Sequence, residues 1–178
     1  MTWSEIERRA SELLVRVPVP PTGSPEVPVE AVARQLGLPV MKVDLGEDVS
    51  GILVNEGERS YIAVQQSEHV HRRRFSMAHE IGHYCLGHHQ DEAVHVDQAP
   101  TITYRAVNRS TDPVSKRKES AANHFAACLL MPRDRVLDEV RKLAGTGPLT
   151  DMDVEELARR FKVSQVAMTY RLQFLRKL

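Results

Sequence analysis

The sequence predicts an α+β fold: a small sheet of three or more strands set against two chemically distinctive helices, with further helices toward the C-terminus. Three observations carry that expectation. PVMKVD (39–44), GILV (51–54) and YIAV (61–64) are short β-like runs bounded by turn residues. Residues 72–86 carry Phe75, Ala78, Gly82 and Cys85 along one side at helical spacing. A second helical stretch runs from about Ser115 to Met131 and is stopped by Pro132.

The elements follow in order. Trp3, Ile6, Ala10, Leu13 and Leu14 recur at three- and four-residue steps and predict an amphipathic N-terminal helix. VPVPPTGSPEVP then places five prolines between Pro18 and Pro28, which predicts an extended connector. Whether the opening helix packs back or serves a partner is left open by this pattern. Val29, Val32, Ala33 and Leu36 form a second helical stripe that Gly37 ends. NEGERS joins the second and third strands as a hairpin with Gly57 at its tip. Gly87 ends the 72–86 helix, and 88–118 is polar and irregular apart from TITYRAV (101–107), a fourth possible strand. Thr150 with Asp153 makes a capping box for a helix ending near Phe161, and Ser164 caps the last helix. The expected regions are 1–28, helix and connector; 29–148, the main domain; and 149–178, a helix-turn-helix-like segment.

The 178 residues suffice for one core without staples. A formal net charge of zero argues against a protein whose main task is gripping a phosphate backbone. MTWSEIERRA is acidic early and has no apolar run, so no secretory signal is expected; Phe125 to Met131 is too short to span a bilayer. Cys85 and Cys128 are too few for a disulfide framework and read as buried thiols in a reducing cytoplasm.

The chemistry concentrates in HEIGH, residues 79–83. Positions four apart on a helix differ by about 40° in direction, so His79 and His83 point the same way and can reach one ion. Glu80 lies beside that face, placed to take a proton from water that zinc has acidified to a pKa of about 7. Against this stands local enrichment: seven of the eight histidines fall between His69 and His95. The third ligand has two candidates. His89 has metzincin spacing, but Leu86 stands where that pattern needs glycine. Glu119, from the second helix, would complete a His₂Glu set with one position open, with Asn123 one turn on to orient a ligand or the substrate. Glu119 is the favoured one. His88 reads with His89 as solvated residues past the helix end, Cys85 faces away, and Arg72, Arg73 and Arg74 read as a solvated patch. Tyr104, Arg109 and His124 are candidates for touching substrate or stabilising the oxyanion. Zinc is the expected ion, with manganese possible in such a nitrogen and oxygen site.

RRRFSMAHEIGHYCLGH followed by ESAANHFAACLLMP resembles the ImmA/IrrE family of metallopeptidases, and the likeness extends over about 30–178. The resemblance implies a small zincin-like core, zinc at His79, His83 and Glu119, and Glu80 as catalytic base. Family helices often carry another glutamate two residues before the asparagine, where this chain has Ala121; Gln65 stands where asparagine is common. The resemblance also implies a target, XRE-type helix-turn-helix repressors whose cleavage relieves repression of stress, phage or mobile-element genes. An exposed strand at 51–54 or 61–64 is expected to hold the peptide by strand addition.

The last helix carries Arg171, Arg176 and Lys177, and Gln165 near its start has the chemistry to read adenine. The turn lacks glycine, and two packed helices are the favoured reading over direct DNA binding. Two function classes stay open: a zinc endopeptidase, or a metal-stabilised binding module of regulatory or toxin–antitoxin type that acts without cutting. The oligomeric state is not legible.

Overall fold

All of the expected strands pair into one sheet. The computed structural model describes residues 1–15, 23–46, 49–56, 59–88, 101–104 (backbone alone), 113–144 and 147–176. Within them the order is α1 (Trp3–Leu14), α2 (Val29–Gln35), β1 (Val40–Val43), β2 (Gly51–Glu56), β3 (Arg59–Gln65), α3 (Val70–Cys85), β4 (Thr101–Tyr104), α4 (Pro113–Leu130), α5 (Arg133–Ala144), α6 (Asp151–Phe161) and α7 (Gln165–Leu175). The hairpin tip Gly57, residues 105–107, Arg109, Lys177 and the histidines 89 and 95 lie outside the described residues.

The sheet runs β1-β3-β2-β4. β2 and β3 are antiparallel with Gly51 opposite Val64, β1 is parallel to β3, and β4 is antiparallel to β2 with Tyr104 opposite Ile52. Side chains alternate between faces, so Leu53, Ile62 and Val64 enter the main core while Ile52, Val54 and Ala63 form a second cluster on the other face. This order corrects the expected docking strand. β2 and β3 are interior, with hydrogen-bonding neighbours on both sides, and among the described residues the edges of the sheet are β1 and β4.

α3 is sandwiched between the sheet and α4. Its residues from Met77 to Gly82 are therefore buried on every side. α1 does pack back: Thr2 and Glu5 form its capping box, Ile6 and Ala10 sink into the core, and Glu7 pairs with the buried Arg171 of α7. Arg171 Nε also donates to the carbonyl of Met131 at 2.9 Å. One buried cluster thus runs from Ile6 through Phe125 to Leu172. Burying a side chain such as Phe125 contributes roughly 1.5–3 kcal/mol.

α5 has no counterpart among the expected elements. Its pattern was present, with Val136, Val140 and Leu143 at helical spacing after Pro132; of these Val136 is buried, beside a buried Glu139 held by Lys142 and Arg160. The capping box of α6 and the Ser164 cap of α7 form as expected. The turn between them lacks glycine, so Lys162 takes the left-handed conformation there, φ 52°, at a cost of about 1–2 kcal/mol.

The arginine run is not a free patch. Arg74 is buried, paired with Glu26 at 2.7 Å and donating to the carbonyls of Val27 and Lys162. Arg72 bridges Glu68 and the Ser50 hydroxyl, and Arg73 donates to the carbonyls of Gln66 and Glu68. All three tie the start of α3 to its surroundings. Gln65 likewise pins the chain after β1, donating to Asp44 Oδ1 and to the carbonyl of Gly46. Among the described residues no helix is long and apolar enough to cross a membrane.

Candidate metal centre

Two glycines let the helices and strands close on one point. Gly51 opens β2 beneath α3, where a Cβ would stand 3.1 Å from the Ser76 Cβ and 3.6 Å from Glu80 Oε1. Gly82 does the same on the other side, admitting the backbone of α4. α4 can then place Glu119 across from the two histidines of α3.

The ligand-type atoms of His79, His83 and Glu119 all lie within 4.8 Å of one another. The two Nε2 atoms face each other at 2.9 Å; Glu119 Oε2 is 3.3 Å from His79 Nε2 and Oε1 is 3.2 Å from His83 Nε2. His79 Nδ1 donates to Asn123 Oδ1 at 2.9 Å, which turns its Nε2 lone pair toward the other two residues. Two imidazole nitrogens and a carboxylate oxygen converging in this way are a set of acceptors that suits a divalent cation, and the residues fit one. His79 is fully buried and His83 nearly so, while the Glu119 side chain is 33% exposed, so the group opens to solvent on the Glu119 side. Glu80, also buried, follows His79 on α3 and approaches the start of β2.

Burial pushes the Glu119 carboxyl up, but protons on the facing Nε2 atoms of His79 and His83 would outweigh it and hold the carboxyl well below the usual range; a divalent cation would stand in place of those protons. Burial raises the Cys85 thiol to about 11 and the Cys128 thiol to about 12, so neither supplies a thiolate near neutral pH.

The structure brings together His79, His83, Glu119 and Asn123, with Glu80 next to His79 along α3. Ala121, where family helices often carry a glutamate, packs against the core. His124 turns away: its ring is wedged between Trp3 and Phe174 at centroid distances of 4.7 and 4.5 Å, with Nε2 3.5 Å from Cys128 Sγ. The backbone of Tyr104 stands opposite Ile52, one residue from the glycine beside Glu80. Arg109 and residue 89 lie outside the described residues. His88 is the correction. Far from being a solvated tail, it places Nδ1 3.2 Å from Nδ1 of His83.

A cleft of about 1120 Å³ lies between α1, α3, α4 and α7, lined by Trp3, Phe75, Ser76, Asn123, Tyr170 and Phe174 among others. It reaches Asn123, behind the His79 ring, but none of the three converging residues lines it.

No curated protein matches the chain. A solved structure, a Mycobacterium tuberculosis transcriptional regulator, shares the fold with a TM-score of 0.66 at 18% identity, covering 95% of this chain and 46% of that one. The chain therefore spans less than half the length of that protein. The model of the peptidase M78 family, the IrrE N-terminal-like domain, matches residues 33–173. That span takes in both helices of the centre, and the chain belongs to this metallopeptidase-like family, for which a metal ion is implied.

Proposed function

We propose that the chain is a zinc-dependent endopeptidase that hydrolyses a peptide bond in a regulatory protein, an XRE-type helix-turn-helix repressor or antitoxin-like partner, and so relieves repression. The observation that carries the chemistry is the convergence of His79, His83 and Glu119 with Glu80 alongside. The target class rests on the resemblance to the family alone.

His79 Nε2, His83 Nε2 and a Glu119 oxygen would hold the ion, and Asn123 keeps His79 in the tautomer that leaves Nε2 free. Bound there, zinc supplies a Lewis acid that polarises the scissile carbonyl and acidifies water. Glu80 does the proton work. Its carboxylate takes the proton from the water attacking the carbonyl carbon and delivers it to the amine nitrogen as the C–N bond breaks. A carboxylate held in a buried pocket is suited to this, because the low dielectric strengthens its hold on the transferred proton. β4 is the edge strand next to β2, which adjoins Glu80, so its outer edge is where an extended peptide would add.

The test mixes a candidate repressor with the wild-type chain or Glu80→Gln, with zinc and with chelator, and maps fragments by mass spectrometry. One metal-dependent cut, lost in Glu80→Gln although that variant still binds zinc, is the expected result. An intact repressor held in a stable complex would favour the non-proteolytic binding module.

A further inference from the structure

We infer that His88 is the positioning residue for His83, holding its imidazole from behind as Asn123 holds that of His79; this rests on the metal-centre reading above.

The geometry begins in the backbone. α3 ends at Leu86, and Gly87 takes the left-handed conformation at φ 74°. The amide of Gly87 then donates to the carbonyl of Tyr84 at 3.1 Å, and the amide of His88 to the carbonyl of His83 at 3.0 Å. These two bonds make a Schellman motif, which folds the residue after the glycine back onto the residue five before it. That pairing is ordinarily an apolar contact. Here both partners are histidines, with rings 5.1 Å apart and steeply inclined at 72°. Their Nδ1 atoms meet at 3.2 Å.

Two facing Nδ1 atoms need one proton between them. Nε2 of His83 points at His79 and Glu119, so as a ligand it must carry a lone pair. A neutral imidazole with a free Nε2 has its proton on Nδ1. His83 therefore donates through Nδ1 to Nδ1 of His88, and His88 keeps its own proton on Nε2. The bond orients His83 and keeps a proton on its Nδ1, so that Nε2 is the nitrogen left to an ion. Each histidine of HEIGH is thus supported by a separate element: His79 by α4, His83 by the turn that ends its own helix.

The experiment uses the full chain and two substitutions. His88→Leu keeps the apolar contact that a Schellman motif favours and removes the acceptor. His88→Gln returns an acceptor at similar reach. Zinc affinity is measured by competition with a chelating dye, and cobalt-loaded protein is read by its visible d–d bands. We expect His88→Leu to lose about 10–100-fold in zinc affinity and to shift the cobalt bands, with His88→Gln recovering much of both. Zinc affinity and cobalt bands in His88→Leu equal to wild type, with the fold intact by circular dichroism, would overturn the inference and leave the metal centre standing. A wild-type chain that binds neither ion would overturn both.

Discussion

Gly82 of α3 lies against Ala122 of α4 so closely that a Cβ on the glycine would stand 3.2 Å from the Ala122 carbonyl oxygen and 3.2 Å from the Phe125 ring. The obstacles are backbone and a fully buried ring, neither of which can swing aside. Gly82→Ala should therefore force the two helices apart, at about 1–3 kcal/mol. The larger effect is on the site, because Glu119 sits one turn before Ala122 and would be carried away from His79 and His83. We expect a lower urea midpoint and a disproportionate loss of zinc uptake; tight zinc binding in this variant would show that the close approach is not what places Glu119.

The metal centre itself predicts stabilisation by its ion. Binding at a hundred times Kd adds about 2.7 kcal/mol to the folded state. For a chain of 178 residues that corresponds to a rise in Tm of roughly 5–11 °C. Thermal unfolding with zinc and with chelator should show this difference in wild type. Glu119→Ala should abolish it, whereas His89→Ala should retain it.

Arg74 and Glu26 predict a stability effect remote from the chemistry. Their side chains are 8% and 21% exposed, and Arg74 also serves two carbonyls. Removing Arg74 leaves Glu26 its second ion pair, with Lys162, but takes the donor from two carbonyls, which costs about 1–3 kcal/mol. Arg74→Ala should lower the unfolding midpoint accordingly. A lysine should fail to restore it, lacking the forked guanidinium that meets three acceptors. Recovery in Arg74→Lys would refute this account.

The α5–α6 junction predicts an acid dependence. Burial works to raise the Glu139 carboxyl, but bonds from Lys142 and Arg160 outweigh it and lower it from its ordinary 4.5. Glu156 is lowered to about 2, chiefly by Arg159 and then Arg160. Groups depressed in the folded state contribute stability that is full above their unfolded value and is lost as pH falls through the folded one. Stability should thus decline from about pH 4.5 toward pH 2. The slope should be shallower in a Glu139→Gln, Glu156→Gln double variant, measured by urea unfolding across that range; an unchanged slope would assign the acid sensitivity to other groups.

Much of this was legible before any tertiary contact was known. The strands alternate or run apolar, the capping box at Thr150 and the cap at Ser164 are local chemistry, and HEIGH fixes two imidazoles on adjacent turns of one helix. α5 is absent from the expected elements although its apolar spacing is plain, because Pro132 both ends one helix and stands just before the start of the next. The arginine run misled for a different reason: three consecutive cations look solvated in sequence, and only the approach of Glu26 and Lys162 from distant segments shows Arg74 to be an internal strut.

What the sequence determined by itself is whatever depends on neighbours within a turn or two: helix faces, caps, and the pairing of His79 with His83 by the α-helical period. What only the tertiary structure decided is which distant groups meet them. The meeting of Glu119 with His79 and His83, the sheet order that makes β4 an edge, and the contact of Asn123 with His79 all depend on how closely α4 and the sheet approach α3. That approach is set by Gly51 and Gly82, through the absence of side chains, and an absent side chain acquires meaning only once something is packed against it. His88 sits between the two cases. Its contact with His83 is local, but a C-terminal glycine turn reads as an ending until the structure shows the chain folding back onto the site.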